Sequence, residues 1–192
     1  MLEDMSVVDP SRARCYSPPV MSDLSLTILA ETANDEQAIE RLHERTFGPG
    51  RYALSAYRLR EHVDHLLDLS FTARIGTLMV GSVRQLPICI GDTPALLLGP
   101  LTVEPPFRDR GIGRALMDRA LGDAKAAGHR LIVLVGDEAY YSRVGFKRIA
   151  KGITAMPGPV DPARLLVCEL ADNAFEGVSG PIRPDWNFVR TS

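Results

Sequence analysis

The stretch best equipped for chemistry is Val103-Glu-Pro-Pro-Phe-Arg108-Asp-Arg-Gly111-Ile-Gly113-Arg-Ala-Leu116. Its residue types suit one task, the holding of an anion. Glycine lets a ligand approach the main chain closely, and the first amides of a helix lack internal partners. Those amides and the helix dipole together attract negative charge. Arg108, Arg110 and Arg114 stand against a single acid, Asp109, so the turn is locally positive in a chain whose formal net charge is −2. Charge-assisted hydrogen bonds contribute about 1.5–3 kcal/mol each, so a few of them hold a diphosphate. Taken alone, glycine and charge are equally compatible with a plain turn carrying solvated arginines.

Two other phosphate-binding patterns do not fit. GxxxxGK[ST] is absent, which excludes a Walker loop. A dinucleotide fingerprint requires a third small residue where Leu116 stands, inside a βαβ unit; here the preceding strands read as a meander.

The elements that must position the turn follow from periodicity. Residues 1–24, rich in Ser, Pro and Arg, predict a mobile leader. Leu26–Ala30 reads as a strand. Asn34 and Gln37 have the spacing of a capping box, opening a helix through Ala38, Ile39, Leu42 and Thr46. Gly48-Pro49-Gly50 breaks it, and a second helix is predicted over 54–67, turning Leu59, Val63, Leu66 and Leu67 inward. Runs at 71–75, 78–90 and 95–103, joined by short turns, predict an antiparallel meander. An apolar stripe from Ile112 through Leu116, Ala120 and Ala124 predicts a helix ending at Gly128. Leu131–Val135 is unbroken apolar, as in a strand covered on both faces. Strand, helix and strand across 95–135 make a right-handed crossover, so those two strands are expected to be parallel. A short helix near 140–144, a strand from Phe146 and a last strand at 165–170 complete the expected core. Residues 171–192 are read as an irregular tail, whose Trp186 offers a cover for a pocket or a contact between two subunits.

At this point the sequence resembles the GNAT superfamily of N-acetyltransferases. The strand ending Leu101-Thr102-Val103-Glu104-Pro105 is followed by Arg108-Asp109-Arg110-Gly111-Ile112-Gly113, matching [Arg/Gln]-x-x-Gly-x-[Gly/Ala], and Tyr141-Ser-Arg-Val-Gly145-Phe146 matches Tyr-x-x-x-Gly-Phe. The resemblance covers about residues 25–170. It implies a mixed α/β domain with a twisted, largely antiparallel sheet split at a splayed parallel pair. It also implies acetyl-CoA as cosubstrate, no metal, and transfer of an acetyl group to a primary amine in a ternary complex. Arg108 through Arg114 would hold the pyrophosphate, mainly by main-chain amides. The Leu101-Thr102-Val103 segment would pair with the pantetheine arm and supply an oxyanion donor. Tyr141 would protonate the departing thiolate.

The attacking nitrogen needs a base, because deprotonating a lysine-like amine at pH 7 costs about 4.6 kcal/mol. Glu104, just past the oxyanion strand, is the leading candidate, with Asp137 and Glu138 behind it. His43, His62, His65 and His129 read as isolated or helix-surface residues, and Tyr140 as a core residue. Many family members carry Asn-x-x-Ala before the tyrosine; here Gly136-Asp-Glu-Ala139 leads directly to it, so the acceptor pocket is expected to be its own.

Bulk properties bound the remainder. At 192 residues, 45% hydrophobic and 24% charged, the chain suits one packed domain. A near-neutral balance gives no support for bulk nucleic-acid binding. Cys15, Cys89 and Cys168 show no ligand spacing and suit a reduced interior. No apolar run is long enough for a membrane span, which points to a cytoplasmic protein. The alternative function, from another class, is a coenzyme A-binding sensor or partner module without turnover. The acceptor, a small molecule or a peptide amine, is not encoded in any motif.

Overall fold

A computed structural model of the protein describes residues 25–48, 55–60 and 63–188. The expected leader, 1–24, lies outside the described residues. In chain order the elements are β1 (Leu26–Ala30), α1 (Glu36–Phe47), α2 (Ser55–Arg60), β2 (Phe71–Ile75), β3 (Leu78–Ile90), β4 (Thr93–Val103), α3 (Ile112–Ala126) and β5 (Leu131–Val135). They continue with α4 (Glu138–Tyr141), β6 (Lys147–Arg148), β7 (Thr154–Ala155), β8 (Leu165–Glu169) and β9 (Gly180–Pro184). The sheet runs β1-β2-β3-β4-β5-β8-β6, with β9 on β3 and β7 on β9. The expected meander is present, as β1 through β4 pair antiparallel in sequence. The crossover through α3 makes β4 and β5 the parallel pair.

That parallel pair is brief. Leu96 lies opposite Ile132 and Leu97 opposite Val133, and no further pairing is made. Beyond Leu98 the strands part, and the site opens in the gap.

A bulge just past this point decides which side chains reach the gap. Val83 faces Leu101 while Gln85 faces Leu98, so β4 accommodates one extra residue at Gly99–Pro100. Before the bulge Leu96 and Leu98 pack toward α3, while Ala95 and Leu97 join a second cluster on the other face. After it the odd positions, Leu101 and Val103, take the α3 side. Thr102 is turned inward, its Oγ1 2.8 Å from Ser82 Oγ. An inserted residue reverses strand parity in this way because side chains alternate with a period of two.

Three expectations are corrected. The capping box is formed by Thr32 and Asp35, not by Asn34 and Gln37: Asp35 Oδ2 accepts from the Thr32 amide at 2.9 Å and from its hydroxyl at 2.8 Å. The second helix does not run from 54 to 67: it is described only as Ser55–Arg60, and residues 63–66 are not helical. There the Leu66 amide donates to the Gln85 carbonyl at 2.8 Å, and Gln85 Nε2 donates to the Leu69 carbonyl, tying the segment to β3. Apolar residues at helical spacing thus reach the core from a short helix and an extended run. Finally, 171–192 is not an irregular tail throughout. β9 pairs with β3 at Ile88–Ile90, past the end of β2, and buries Ile182. It covers a strand edge that would otherwise stand open.

Cys89 and Cys168 are buried and free, as read from the sequence. Among the described residues no helix is long and apolar enough to cross a membrane.

Candidate active site

A cleft of about 650 Å³ opens where β4 and β5 part. Its floor is Leu101 and Val103 of β4, one wall is the turn from Phe107 to Arg114, and the opposite wall is Tyr140, Tyr141, Arg143 and Val144. Thr46 and Phe47, at the end of α1, close one side.

The turn is built to leave amides bare. Gly111 holds φ +80°, the left-handed region, at the N-cap of α3, and no side chain caps the helix there. A side chain at Gly111 would meet nothing within 4 Å, so the backbone angle rather than crowding demands glycine. The first α3 hydrogen bond runs from Ala115 N to Gly111 O, leaving the amides before it without helical partners. Arg114 is held by Asp118 at 2.8 Å, and Arg110 lies over the Phe107 ring at 5.5 Å. Arg108 Nε reaches back to the Val103 carbonyl at 3.4 Å.

Tyr141 is positioned by four local devices. Asp137 caps α4 by accepting from Ala139 N at 2.9 Å, and the Tyr141 amide donates to Asp137 O at 3.0 Å. The Tyr141 ring meets Tyr140 and Phe146 edge-on, with centroids 4.9 and 5.9 Å away. Gly136 gives it room: a Cβ there would stand 2.2 Å from Tyr141 Cε2. Burial, with a smaller push from Tyr140, raises the Tyr141 phenol to about 12, against the pull of Arg164.

Of the residues singled out in the sequence, the cleft brings together Leu101, Val103, Arg108, Asp109, Gly111, Ile112, Gly113, Arg114 and Tyr141. It does not bring in the side chains of Thr102, Arg110 or Glu104. Thr102 points into the sheet, and the Glu104 carboxylate accepts from Arg45 of α1. Two readings of neighbouring residues are corrected. Tyr140 is not a core residue but 42% exposed, its hydroxyl so near Gly113 that a Cβ there would lie 2.6 Å from it. His43 is not on a helix surface but buried, 3.4 Å from Ser82 Oγ. Sequence reasoning missed Tyr140, Arg143, Thr46 and Phe47. Tyr140 precedes the tyrosine motif and Arg143 lies at one of its variable positions, so proximity to the motif was the available signal; Thr46 and Phe47 arrive from a distant helix and left none.

A splayed parallel pair, an uncapped glycine turn after one strand and a partly buried tyrosine after the other are arranged as the sequence resemblance leads one to expect. Comparison with known proteins agrees. Residues 69–148 match the family model described as an acetyltransferase (GNAT) domain. The chain is 29% identical over 167 residues to the uncharacterized N-acetyltransferase YhbS of Escherichia coli K12, covering 86% of this chain and 99% of that one. The crystal structure of YhbS from Escherichia coli in complex with CoA superposes with a TM-score of 0.73 at 27% identity, covering 89% of this chain and 96% of that one. A GNAT family acetyltransferase from Brucella melitensis in complex with acetyl-CoA gives 0.54 at 28% identity, covering 80% and 99%. The chain is thus similar to GNAT acetyltransferases over residues 69–148 and in its fold.

Proposed function

We propose that this protein moves an acetyl group from acetyl-CoA to a primary amine by direct attack in a ternary complex. The observation that carries the reading is the continuity of one cleft from the bare amides of the Gly111–Gly113 turn, along Leu101 and Val103, to Tyr141. Two features fit the cosubstrate. Among the described residues no side chain caps the α3 amides. The Thr46 hydroxyl is buried in the cleft wall with no hydrogen-bond partner among the described residues, an arrangement that costs about 1–3 kcal/mol unless a ligand satisfies it. When bound, acetyl-CoA supplies the acetyl group as an activated thioester.

The roles of the chain's own residues follow. Arg108, Asp109, Arg110, Ile112 and Arg114 shape and charge the turn around Gly111 and Gly113, whose amides receive the pyrophosphate. The main chain of Leu101-Thr102-Val103 orients the pantetheine arm and presents an amide to the thioester carbonyl. As the C–N bond forms and the C–S bond breaks, the thiolate takes its proton from the Tyr141 hydroxyl. The proton lost by the amine goes to Glu104, directly or through water, once its pair with Arg45 opens. Glu104→Gln then lowers the initial rate more at pH 7 than near pH 10, where a large share of the amine is already unprotonated.

Calorimetric titration with acetyl-CoA, followed by product analysis over a panel of primary amines, tests the proposal. Micromolar binding with acetyl transfer to at least one amine is expected; folded protein that takes up no acetyl-CoA at tens of micromolar overturns it.

A further inference from the structure

Three parts of the cleft converge on Gly113. A Cβ there would lie 2.6 Å from the Tyr140 hydroxyl, 3.7 Å from Val103 Cγ2 and 3.9 Å from Leu101 Cδ2. Gly113 is the second residue of α3, and its amide precedes the first helical hydrogen bond, from Ala115 N to Gly111 O. A phenol hydroxyl from the facing wall thus stands against amides that have no helical partner. The motif matched by this turn admits alanine at the position of Gly113, but in this chain a methyl group there would collide with Tyr140. The tyrosine and the glycine therefore belong together.

The setting selects what the hydroxyl can bond. A phenol hydroxyl both donates and accepts, whereas the amides before it only donate. Burial raises the Tyr140 phenol above its ordinary value, against a downward pull from Arg114 and Arg143, so it keeps its proton at neutral pH. Beside donors and cations, the acceptor that suits this proton is an anion lodged between wall and turn. Tyr140 is held to receive one: its amide donates to Asp137 O at 3.1 Å, and its ring meets Tyr141 edge-on at 4.9 Å. The ring is also 42% exposed, so it can turn outward to admit a phosphate and still keep its hydroxyl in reach.

We propose that Tyr140 is a further binding residue for the cosubstrate, its hydroxyl donating to the diphosphate from the wall that faces the glycine turn. The anion is then held from two sides, by the α3 amides and by the phenol. Tyr140 and Tyr141, adjacent in sequence, divide the cosubstrate between them, one at the diphosphate and the other at the sulfur. This inference rests on the acetyltransferase reading and adds a residue to its cosubstrate site.

The test uses Tyr140→Phe, which keeps the ring and should melt close to the wild type. Its Kd for acetyl-CoA, measured by calorimetry, should rise about tenfold, the worth of one charge-assisted hydrogen bond. Phosphorus NMR of the saturated complexes should show the two diphosphate resonances displaced between wild type and variant, with the ribose phosphate resonance unmoved. Gly113→Ala should cost affinity in the wild type and much less in the Tyr140→Phe background, because its methyl group acts by displacing the hydroxyl. An unchanged Kd in Tyr140→Phe overturns the inference, as do diphosphate resonances that stay in place or a Gly113→Ala loss equal in both backgrounds; the acetyltransferase reading survives each of these. Wild-type protein that binds no acetyl-CoA would instead remove the reading beneath it.

Discussion

In the proposed reaction Tyr141 is the proton donor, and its partly buried setting defines what it can do. With its phenol raised to about 12, outright proton transfer to a free thiolate (pKa ~8.5) is uphill by roughly 5 kcal/mol. In the proposed reaction the hydroxyl therefore acts as a hydrogen-bond donor to charge developing on sulfur and yields its proton late. Tyr141→Phe should lower kcat by about 10²-fold or more while leaving acetyl-CoA affinity unchanged; unchanged kcat would remove Tyr141 from the reaction. Stability carries a second signature. A phenol whose folded value lies above its unfolded value of about 10 stabilises the native state below pH ~10 and loses that contribution as pH rises toward 12. Urea titrations between pH 9 and 11.5 should thus show a shallower alkaline decline in Tyr141→Phe than in the wild type. Gly136 tests the same ring by sterics. Its Cβ would stand 2.2 Å from Tyr141 Cε2, so Gly136→Ala should cost about 1–3 kcal/mol of stability through overpacking. It should also lower kcat by displacing the tyrosine, both read from thermal unfolding and initial rates.

At the scale of elements, the junction of β4 with α3 can be separated into folding and binding by one substitution. Aspartate at Gly111 must adopt φ +80°, costing roughly 1–2 kcal/mol, yet an N-cap aspartate returns about 1 kcal/mol by accepting from the helix amides. Those are the amides assigned to the pyrophosphate. Gly111→Asp should therefore melt within a few degrees of the wild type but lose acetyl-CoA affinity about 100-fold or more, the worth of two charge-assisted hydrogen bonds. Retained affinity would mean the diphosphate sits elsewhere. The turn and crossover were legible in the sequence because their signals are local: Leu101-Thr-Val103, then two glycines, then a helical stripe. The bulge at Gly99–Pro100 was not, since its consequence, which of residues 101–103 face the cleft, depends on the register with β3. The segment after Arg60 misled for a related reason. Val63, Leu66 and Leu67 keep helical spacing, but the Leu66 amide bonds the Gln85 carbonyl in an extended conformation and Leu67 opens only a short 3-10 turn, held at Leu69 by the Gln85 side chain. Tyr140 looked like core beside Tyr141, yet adjacent residues on a four-residue helix point in different directions.

Across the whole molecule, one buried charge cluster joins the N-terminal elements to the sheet. Glu31, at the end of β1, is 4% exposed. Its carboxylate accepts from His65 at 2.9 Å and from Arg84 Nε at 3.1 Å, and Arg84 extends to Glu36 of α1. Burial pushes the Glu31 carboxyl up, but hydrogen bonds from His65 and Arg84, with the Arg84 charge, more than offset it and leave the group below the ordinary carboxylate range. A depressed value means the contribution to stability is fully present above the unfolded carboxylate range, near pH 4.3, and is lost as pH falls below it. Removing one partner of such a pair strands a buried charge, which costs about 3–5 kcal/mol. Because Glu36 still holds Arg84, Glu31→Gln should fall near the lower end, about 3 kcal/mol at pH 7. The same comparison at pH 3 should show a smaller gap, since the wild type begins to lose the pair there. Equal gaps at both values would show that Glu31 acts through packing alone; a narrowing gap places the charge pair at the centre of how β1, α1 and β3 are held together.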